Sequence, residues 1–134
     1  MSAFRSKLNV ELIDDDNSLW RLTWPLVYYS DIAGLIVVPV GFETDFASVP
    51  RLPVVWLAAG DTARQAATVH DYLYSLNGVA LADGQVQPTR VSRQVADAVF
   101  EEAMAVSGVS WWRRQAMWMA VRLAGSKFYE ERAE

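Results

Sequence analysis

The first part of the chain alternates hydrophobic and polar residues with the period of two that is typical of β-strands. The segment KLNVELI places Leu8, Val10 and Leu12 on one face, and LWRLTW alternates in the same way until Pro25 ends the run. LVYYS and LIVVPVGF are rich in β-branched and aromatic residues, with a glycine turn between them. We therefore predict an antiparallel β-meander of about three to five strands over residues 1–50.

The rest of the chain has the wider spacing of hydrophobic residues that is typical of α-helices. Three helical segments each follow a residue that can cap them: Asp61 before TARQAATVHDYLYSL, Ser92 before RQVADAVFEEAMAVS and Ser110 before WWRRQAMWMAVRLAG. A glycine that can end or kink the helix lies near the end of each segment: Gly78, Gly108 and Gly125. The sequence therefore predicts a single α+β domain over residues 1–134, mainly β over residues 1–50 and mainly α, with three helices, over residues 51–134.

Composition narrows the class of protein. The 134 residues include no cysteine and carry a formal net charge of −4. The absence of cysteine excludes disulfides and thiolate metal sites, and the acidic balance argues against a dedicated nucleic-acid binder. No stretch approaches the roughly 20 apolar residues of a membrane span, and the N-terminus has no signal-peptide pattern. We expect a soluble protein that is made in the cytoplasm.

The short segment HDYLY contains the only histidine of the chain. On a helix, His70 and Tyr74 are four residues apart and share a face, whereas Asp71 points about 100° away from His70. Such a dipeptide is typical of a structural core histidine beside a solvated aspartate. A catalytic histidine is the alternative, and it requires a partner elsewhere in the chain.

Asp97 is a candidate for that partner. It lies on the same helical stripe as Phe100 and Met104, which should face the core. A carboxylate on an apolar stripe is costly unless it is paired, so we expect a partner for Asp97. One alternative is His70 on the preceding helix, which would leave the other ring nitrogen to accept a proton from water. The second alternative is an arginine: Arg90, Arg93 or Arg113.

Asp45 lies in the turn-rich segment ETDFASVPR, directly after a predicted strand. One interpretation is an Asx-turn, in which the carboxylate binds a backbone N–H of Phe46 or Ala47. The other is a metal site, because oxygen ligands from Asp45, Asp71 and nearby carbonyls suit a hard cation such as calcium. A chain with one histidine and no cysteine is a poor candidate for zinc.

Four segments together resemble a phage and prophage family known as "domain of unknown function 1353". They are VPVGFETDFASVPR, AATVHDYLY, RVSRQVADAVFEEAM and MAVRLAG, and they extend over most of the chain. The resemblance implies an origin in a bacteriophage or prophage. It implies no established activity.

A second, local resemblance concerns the order TDFAS, HDYLY and ADAVF, which is similar to that of the secreted bacterial phospholipases A2. It implies that His70 is the general base that activates water and that Asp97 orients the histidine. It also implies that Tyr74 braces the site. The activity implied is calcium-dependent hydrolysis of a lipid or another ester.

The same resemblance implies a calcium ion held by Asp45, Asp71 and the carbonyl of Phe46. The ion would polarise the ester carbonyl and stabilise the oxyanion. The chain departs from those phospholipases because it has no cysteine, whereas they join their two catalytic helices by disulfides. Hydrophobic packing would replace the disulfides, through Ala66, Val69, Leu73, Val99 and Phe100.

The last predicted helix has an apolar surface that is too wide for one neighbouring helix. Trp111 and Trp118 lie in one row, and Trp112 lies in the adjacent row. Part of this surface should pack on the core, and the rest could contact a partner. We expect the Trp111, Trp112 and Trp118 surface to bind other phage structural proteins or a second copy of the chain, with phospholipid as a further possibility. We expect no nucleic acid.

Two functions remain open at this point. The first is a virion-associated or tail-associated phage protein that carries a phospholipase-A2-like calcium and His-Asp site. This function requires Asp45 near Asp71, His70 near Asp97, and an open cleft above His70. The second is a purely structural or assembly protein of the phage particle without catalysis. It requires a large apolar interface and no metal.

Overall fold

The computed structural model describes residues 1–16, 19–45, 62–124 and Tyr129. Within these ranges the chain forms six β-strands followed by three α-helices, so the predicted α+β class is confirmed. The strands are β1 (Ala3–Phe4), β2 (Val10–Asp14), β3 (Leu19–Leu22), β4 (Leu26–Ser30), β5 (Gly34–Val38) and β6 (Glu43–Thr44). The helices are α1 (Thr62–Tyr74), α2 (Arg93–Val106) and α3 (Trp111–Ala124).

The described strands form two antiparallel sheets of three strands each, with the orders β1-β4-β5 and β2-β3-β6. β1 and β6 have two residues each, which is too short for an alternating pattern to be visible in the sequence. The pairing of β2 with β3 shifts register between Leu12 and Asp14. Leu12 is 43% exposed, whereas Leu8 and Val10, predicted on the same face, are half-buried.

The β1-β4-β5 sheet packs against α1 and α2, and the core lies between these layers. Alternation along β4 and β5 points one set of side chains inward, each 0% exposed: Leu26, Tyr28, Ile36 and Val38. Tyr28 also donates its hydroxyl to Glu102 of α2 over 2.6 Å. The sheet therefore supports α2 by both apolar packing and a hydrogen bond.

The helix boundaries follow local signals in the sequence. Ser92 caps α2, because its side chain accepts a hydrogen bond from the backbone N–H of Val95. Gly108 ends the same helix with a φ of 87°, a conformation that favours glycine. Ser110 directly precedes α3, but its hydroxyl has no hydrogen-bond partner among the described residues, so its side chain does not cap the helix. Two further predicted signals lie outside the described residues: Asp61 and Gly125.

The exit from α1 depends on Gly78. A Cβ at this position would lie 1.8 Å from the backbone oxygen of Tyr72, so only glycine lets the chain turn back so closely. The turn sets the end of α1, where His70 and Tyr74 lie on the side that meets α2. α2 in turn packs against α3. Among the described residues, no helix combines the length and the apolar character that a membrane span requires.

Candidate functional site

His70 of α1 and Asp97 of α2 form a buried hydrogen bond. His70 Nε2 lies 2.7 Å from Asp97 Oδ1, and the two residues are 1% and 0% exposed. An ionised carboxylate can only accept, so the imidazole presents Nε2–H to Asp97 and a neutral His70 carries its lone pair on Nδ1. The structure thus contains the first of the two contacts that the sequence allowed for Asp97. The catalytic roles of the two residues stay predictions.

Tyr74 lies one helical turn after His70 and binds the same carboxylate. Its hydroxyl donates to Asp97 Oδ1 over 2.5 Å. Burial raises the pKa of Tyr74, and the hydrogen bond to Asp97 raises it further, so the phenol stays a donor. The imidazole packs against the rings of Tyr74 and Phe100, with centroid distances of 4.1 and 4.7 Å. Packing and hydrogen bonding together therefore fix the orientation of His70.

Arg122 of α3 completes the surroundings of Asp97. Its Nη1 donates to Asp97 Oδ2 over 2.8 Å, so both carboxylate oxygens have partners. Burial by itself would raise the pKa of Asp97, but the hydrogen bonds from His70, Tyr74 and Arg122 outweigh it and lower that pKa. The ionised carboxylate is therefore the favoured form of Asp97, and it accepts the hydrogen bond from His70 Nε2–H.

The arginine that pairs with Asp97 is not one of the three that the sequence suggested. Arg93 donates to main-chain carbonyls at the end of α3, and Arg90 donates to the carbonyl at the end of α1. Arg113 lies over a tryptophan ring. The predicted arginine partners of Asp97 were wrong because of the direction of α3. This helix runs antiparallel to α2, so its far end, with Arg122, lies beside the first turns of α2.

Two of the predicted calcium ligands, Asp45 and Asp71, lie where β6 ends beside α1. The hydroxyl of Thr44 donates to Asp71 Oδ2, so the residue just before Asp45 contacts Asp71. Asp45 and Asp71 are both half-buried. Phe46 and Ala47, which concern both the metal interpretation and the Asx-turn, lie outside the described residues. Among the residues that the structure describes, no group of three or more His, Cys, Asp or Glu side chains could hold a metal ion.

The tryptophans of α3 divide between surface and interior. Trp111 and Trp112 are 67% and 56% exposed, whereas Trp118 is half-buried. Arg113 lies over the ring of Trp112 at 5.1 Å from the centroid. Of the three predicted tryptophans, Trp111 and Trp112 are therefore the exposed ones. Two apolar side chains further along α3 are exposed as well: Met119 and Leu123.

The family described as "Protein of unknown function (DUF1353)" matches the chain over residues 20–121, from β3 to the last turn of α3. This range includes His70, Tyr74 and Asp97. The chain belongs to the DUF1353 family. Neither a curated protein nor a solved structure matches the chain, and these comparisons give no support to the local resemblance to phospholipases A2.

Two contacts of this DUF1353 site were missed by the sequence: Thr44 with Asp71, and Arg122 with Asp97. No sequence signal singles out Arg122 among the arginines, but its position in the structure explains the second contact. Arg122 follows the buried Val121 and lies one turn after the half-buried Trp118, which is the inward side of α3. An arginine at such a position needs an acidic partner on the neighbouring helix.

Proposed function

We propose that this DUF1353 protein hydrolyses an ester, with His70 as the general base and Asp97 as the residue that orients it. The observation that carries the proposal is the buried 2.7 Å hydrogen bond between His70 Nε2 and Asp97 Oδ1. A histidine that is held by a carboxylate through one ring nitrogen can take a proton through the other.

The proposed reaction uses water as the nucleophile. His70 is 1% exposed, so the open cleft that this function requires is not seen above it among the described residues, and the reaction needs an opening that lets water and the ester reach Nδ1. His70 Nδ1 then accepts a proton from water while the water oxygen bonds to the ester carbonyl carbon. Asp97 stabilises the resulting imidazolium through Nε2–H, and Tyr74 holds Asp97 in place. When the tetrahedral intermediate collapses, the bond to the alcohol oxygen breaks and His70 returns the proton to that oxygen. The products are a carboxylic acid and an alcohol.

Calcium is the cofactor proposed for the same site, with ligands from Asp45, Asp71 and the Phe46 carbonyl. Its support is the contact between Thr44 and Asp71, which brings the residue before Asp45 to α1. Two carboxylates fall short of the roughly six to eight oxygens that calcium takes. The described residues alone thus do not form a calcium site, and no step of the proposed reaction depends on the ion.

We also propose that the protein comes from a bacteriophage or prophage and associates with the virion or its tail, as the family resemblance implies. Support for a contact surface comes from Trp111 and Trp112, whose exposure is typical of surfaces that meet protein or lipid. The proposed partners are other structural proteins of the phage particle or a second copy of the chain. Phospholipid is the alternative, and it would also be the substrate surface of a lipid hydrolase.

A second candidate function, a structural or assembly protein without catalysis, is favoured by one observation. His70 and Asp97 are 1% and 0% exposed, and buried polar networks also serve to fix how helices pack. In that case the His70–Asp97 pair and the contact of Thr44 with Asp71 would brace the helices against the sheets.

The experiment that separates the two functions measures fatty-acid release from mixed phospholipid micelles, with a soluble short-chain ester as a second substrate. The assay is run with calcium and with excess chelator, on the wild type, His70→Asn and the control Glu101→Gln. We expect release by the wild type and Glu101→Gln, and none by His70→Asn. Loss with chelator would support calcium. No release from folded wild type on either substrate would favour the structural function.

A further inference from the structure

We propose that Arg122 is a positioning residue for the His70–Asp97 pair, and that it holds Asp97 ionised and turned towards His70 from the third helix. The inference rests on the proposed function only where activity is the readout. The orientation of His70 can be measured whether or not the protein is an enzyme.

The first argument is the division of the Asp97 carboxylate between two sets of partners. Oδ1 accepts from His70 and Tyr74 of α1, and Oδ2 accepts from Arg122 of α3. A carboxylate that is bound at one oxygen alone can still rotate about its side-chain bonds. Binding at both oxygens from opposite neighbours fixes the plane of the carboxylate, and so fixes the direction from which His70 Nε2–H is accepted.

The second argument is that Arg122 is itself held by the helix that carries Asp97. Arg93, the first residue of α2, donates through Nη2 to the carbonyls of Val121 and Arg122 over 2.9 and 2.7 Å. The side chain of Arg122 donates to Asp97 of α2, and the backbone carbonyl of Arg122 accepts from Arg93 of the same helix. This closed arrangement keeps the guanidinium in register with Asp97 before any ligand is present.

The third argument is electrostatic. Asp97 is 0% exposed, and burial of a carboxylate without a cation favours its protonated form. A protonated Asp97 has a hydroxyl that can donate, so it would no longer be restricted to accepting His70 Nε2–H. The guanidinium of Arg122, 2.8 Å from Oδ2, stabilises the ionised carboxylate and so maintains the histidine tautomer that has its lone pair on Nδ1.

The same pair of helices provides a matched control. Arg114 Nε donates to Glu101 Oε1 over 2.9 Å, one turn along α2 from Asp97. Both arginines join α3 to α2 through a carboxylate, but only Arg122 shares its carboxylate with His70. Arg114 also donates through Nη1 to the carbonyl of Val109, so its loss removes an interhelical ion pair and one backbone contact without touching the histidine. Loss of Arg122 adds the effect on the histidine.

The experiment compares Arg122→Met, Arg122→Lys and Arg114→Met with the wild type. The chain has one histidine, so its imidazole NMR signals need no assignment. The first readout is the ring tautomer and the rate at which Nε2–H exchanges with water at a fixed pH. The second is kcat and KM for ester hydrolysis. Urea unfolding of each variant reports the structural effect.

We expect Arg122→Met to accelerate Nε2–H exchange by about tenfold or more and to lower kcat by about tenfold to a hundredfold with little change in KM. Arg122→Lys keeps the charge, so its Nε2–H exchange rate and its kcat should lie between those of Arg122→Met and the wild type. Arg114→Met should change neither the exchange rate nor kcat. If the wild type is inactive, the proposed function fails and the NMR readout alone decides. If Arg122→Met does not fold, Arg122→Lys is compared with wild type and Arg114→Met. Equal exchange rates in the folded Arg122 and Arg114 variants would overturn the proposal.

Discussion

Helix α2 carries two carboxylates one turn apart that pair with arginines of α3 in very different surroundings. Asp97 is 0% exposed and accepts hydrogen bonds from three side chains on two helices. Glu101 keeps 31% of its side chain exposed and pairs with Arg114. Two acidic residues one turn apart thus connect α2 to α3. Asp97 lies inside the core and Glu101 lies at its edge.

The difference shows how burial decides what an ion pair does. Water can replace either partner of an exposed pair, so such a pair contributes little to stability. Water does not reach Asp97, so loss of the carboxylate would leave His70 and Tyr74 with unpaired donors inside the protein, whereas Arg122, whose side chain is 29% exposed, can turn to water. The Asp97 end of the α2–α3 contact therefore requires one arrangement of three helices, and the Glu101 end does not.

The largest expected effect is that of Asp97→Asn compared with Glu101→Gln. Both changes replace a carboxylate by an amide of the same shape. At position 97 the amide NH₂ would face another donor, so we expect a loss of about 3–5 kcal/mol in the free energy of unfolding. At position 101 we expect a loss below about 1 kcal/mol. Urea unfolding with an unchanged m-value measures both, and losses of equal size would contradict the comparison.

The second prediction concerns acid. The pKa of Asp97 is lowered below its ordinary value of 3.8, because hydrogen bonds outweigh burial, so the unfolded chain takes up the proton first as the pH falls. The stability due to Asp97 is therefore complete above pH 3.8 and is lost as the pH falls through the folded pKa. Unfolding free energies measured from pH 6 to pH 2 should fall less steeply in Asp97→Asn than in the wild type. Glu101→Gln should keep most of the wild-type slope, and the reverse order would contradict the assignment.

The third prediction extends the comparison to two buried tyrosines. Tyr74 donates to the fully buried Asp97, and Tyr28 donates to the half-buried Glu102 over 2.6 Å. Phenylalanine keeps the ring packing in each case. We expect Tyr74→Phe to cost about 1.5–3 kcal/mol and Tyr28→Phe about 0.5–1.5 kcal/mol, because water can reach Glu102 but not Asp97. Thermal unfolding of both variants gives the order, and a larger loss for Tyr28→Phe would refute the argument from burial.

Much of the fold could be predicted because its signals are local. The alternation of β4 and β5, the cap at Ser92 and the stop at Gly108 each depend on a few neighbouring residues. The division into two sheets could not be predicted, because it depends on pairs such as β3 with β6, where β6 has two residues. Pairing of distant short segments leaves no periodic pattern in the sequence.

The candidate site shows the same limit. The contact of His70 with Asp97 could be named only as one of two alternatives, because a carboxylate on an apolar stripe needs a partner and the chain has one histidine and several arginines. Arg122 could not be chosen among the arginines, because its contact depends on the direction and register of α3 relative to α2. A sequence can thus predict that a buried charge is paired before it predicts the residue that pairs with it.

The smallest expected effect belongs to the exposed end of the α2–α3 contact. In a double-mutant cycle, Glu101→Gln and Arg114→Met should show a coupling energy of about 0.2–1 kcal/mol that shrinks in about 1 M salt, where the Debye length is about 3 Å. The parallel cycle with Asp97→Asn and Arg122→Met should give a larger coupling that changes less with salt, because Asp97 is screened from ions by its burial. A salt-sensitive coupling of equal size at both ends would mean that Asp97 is solvated in solution. It would also remove the main reason for assigning Asp97 and Arg122 a role beyond helix packing.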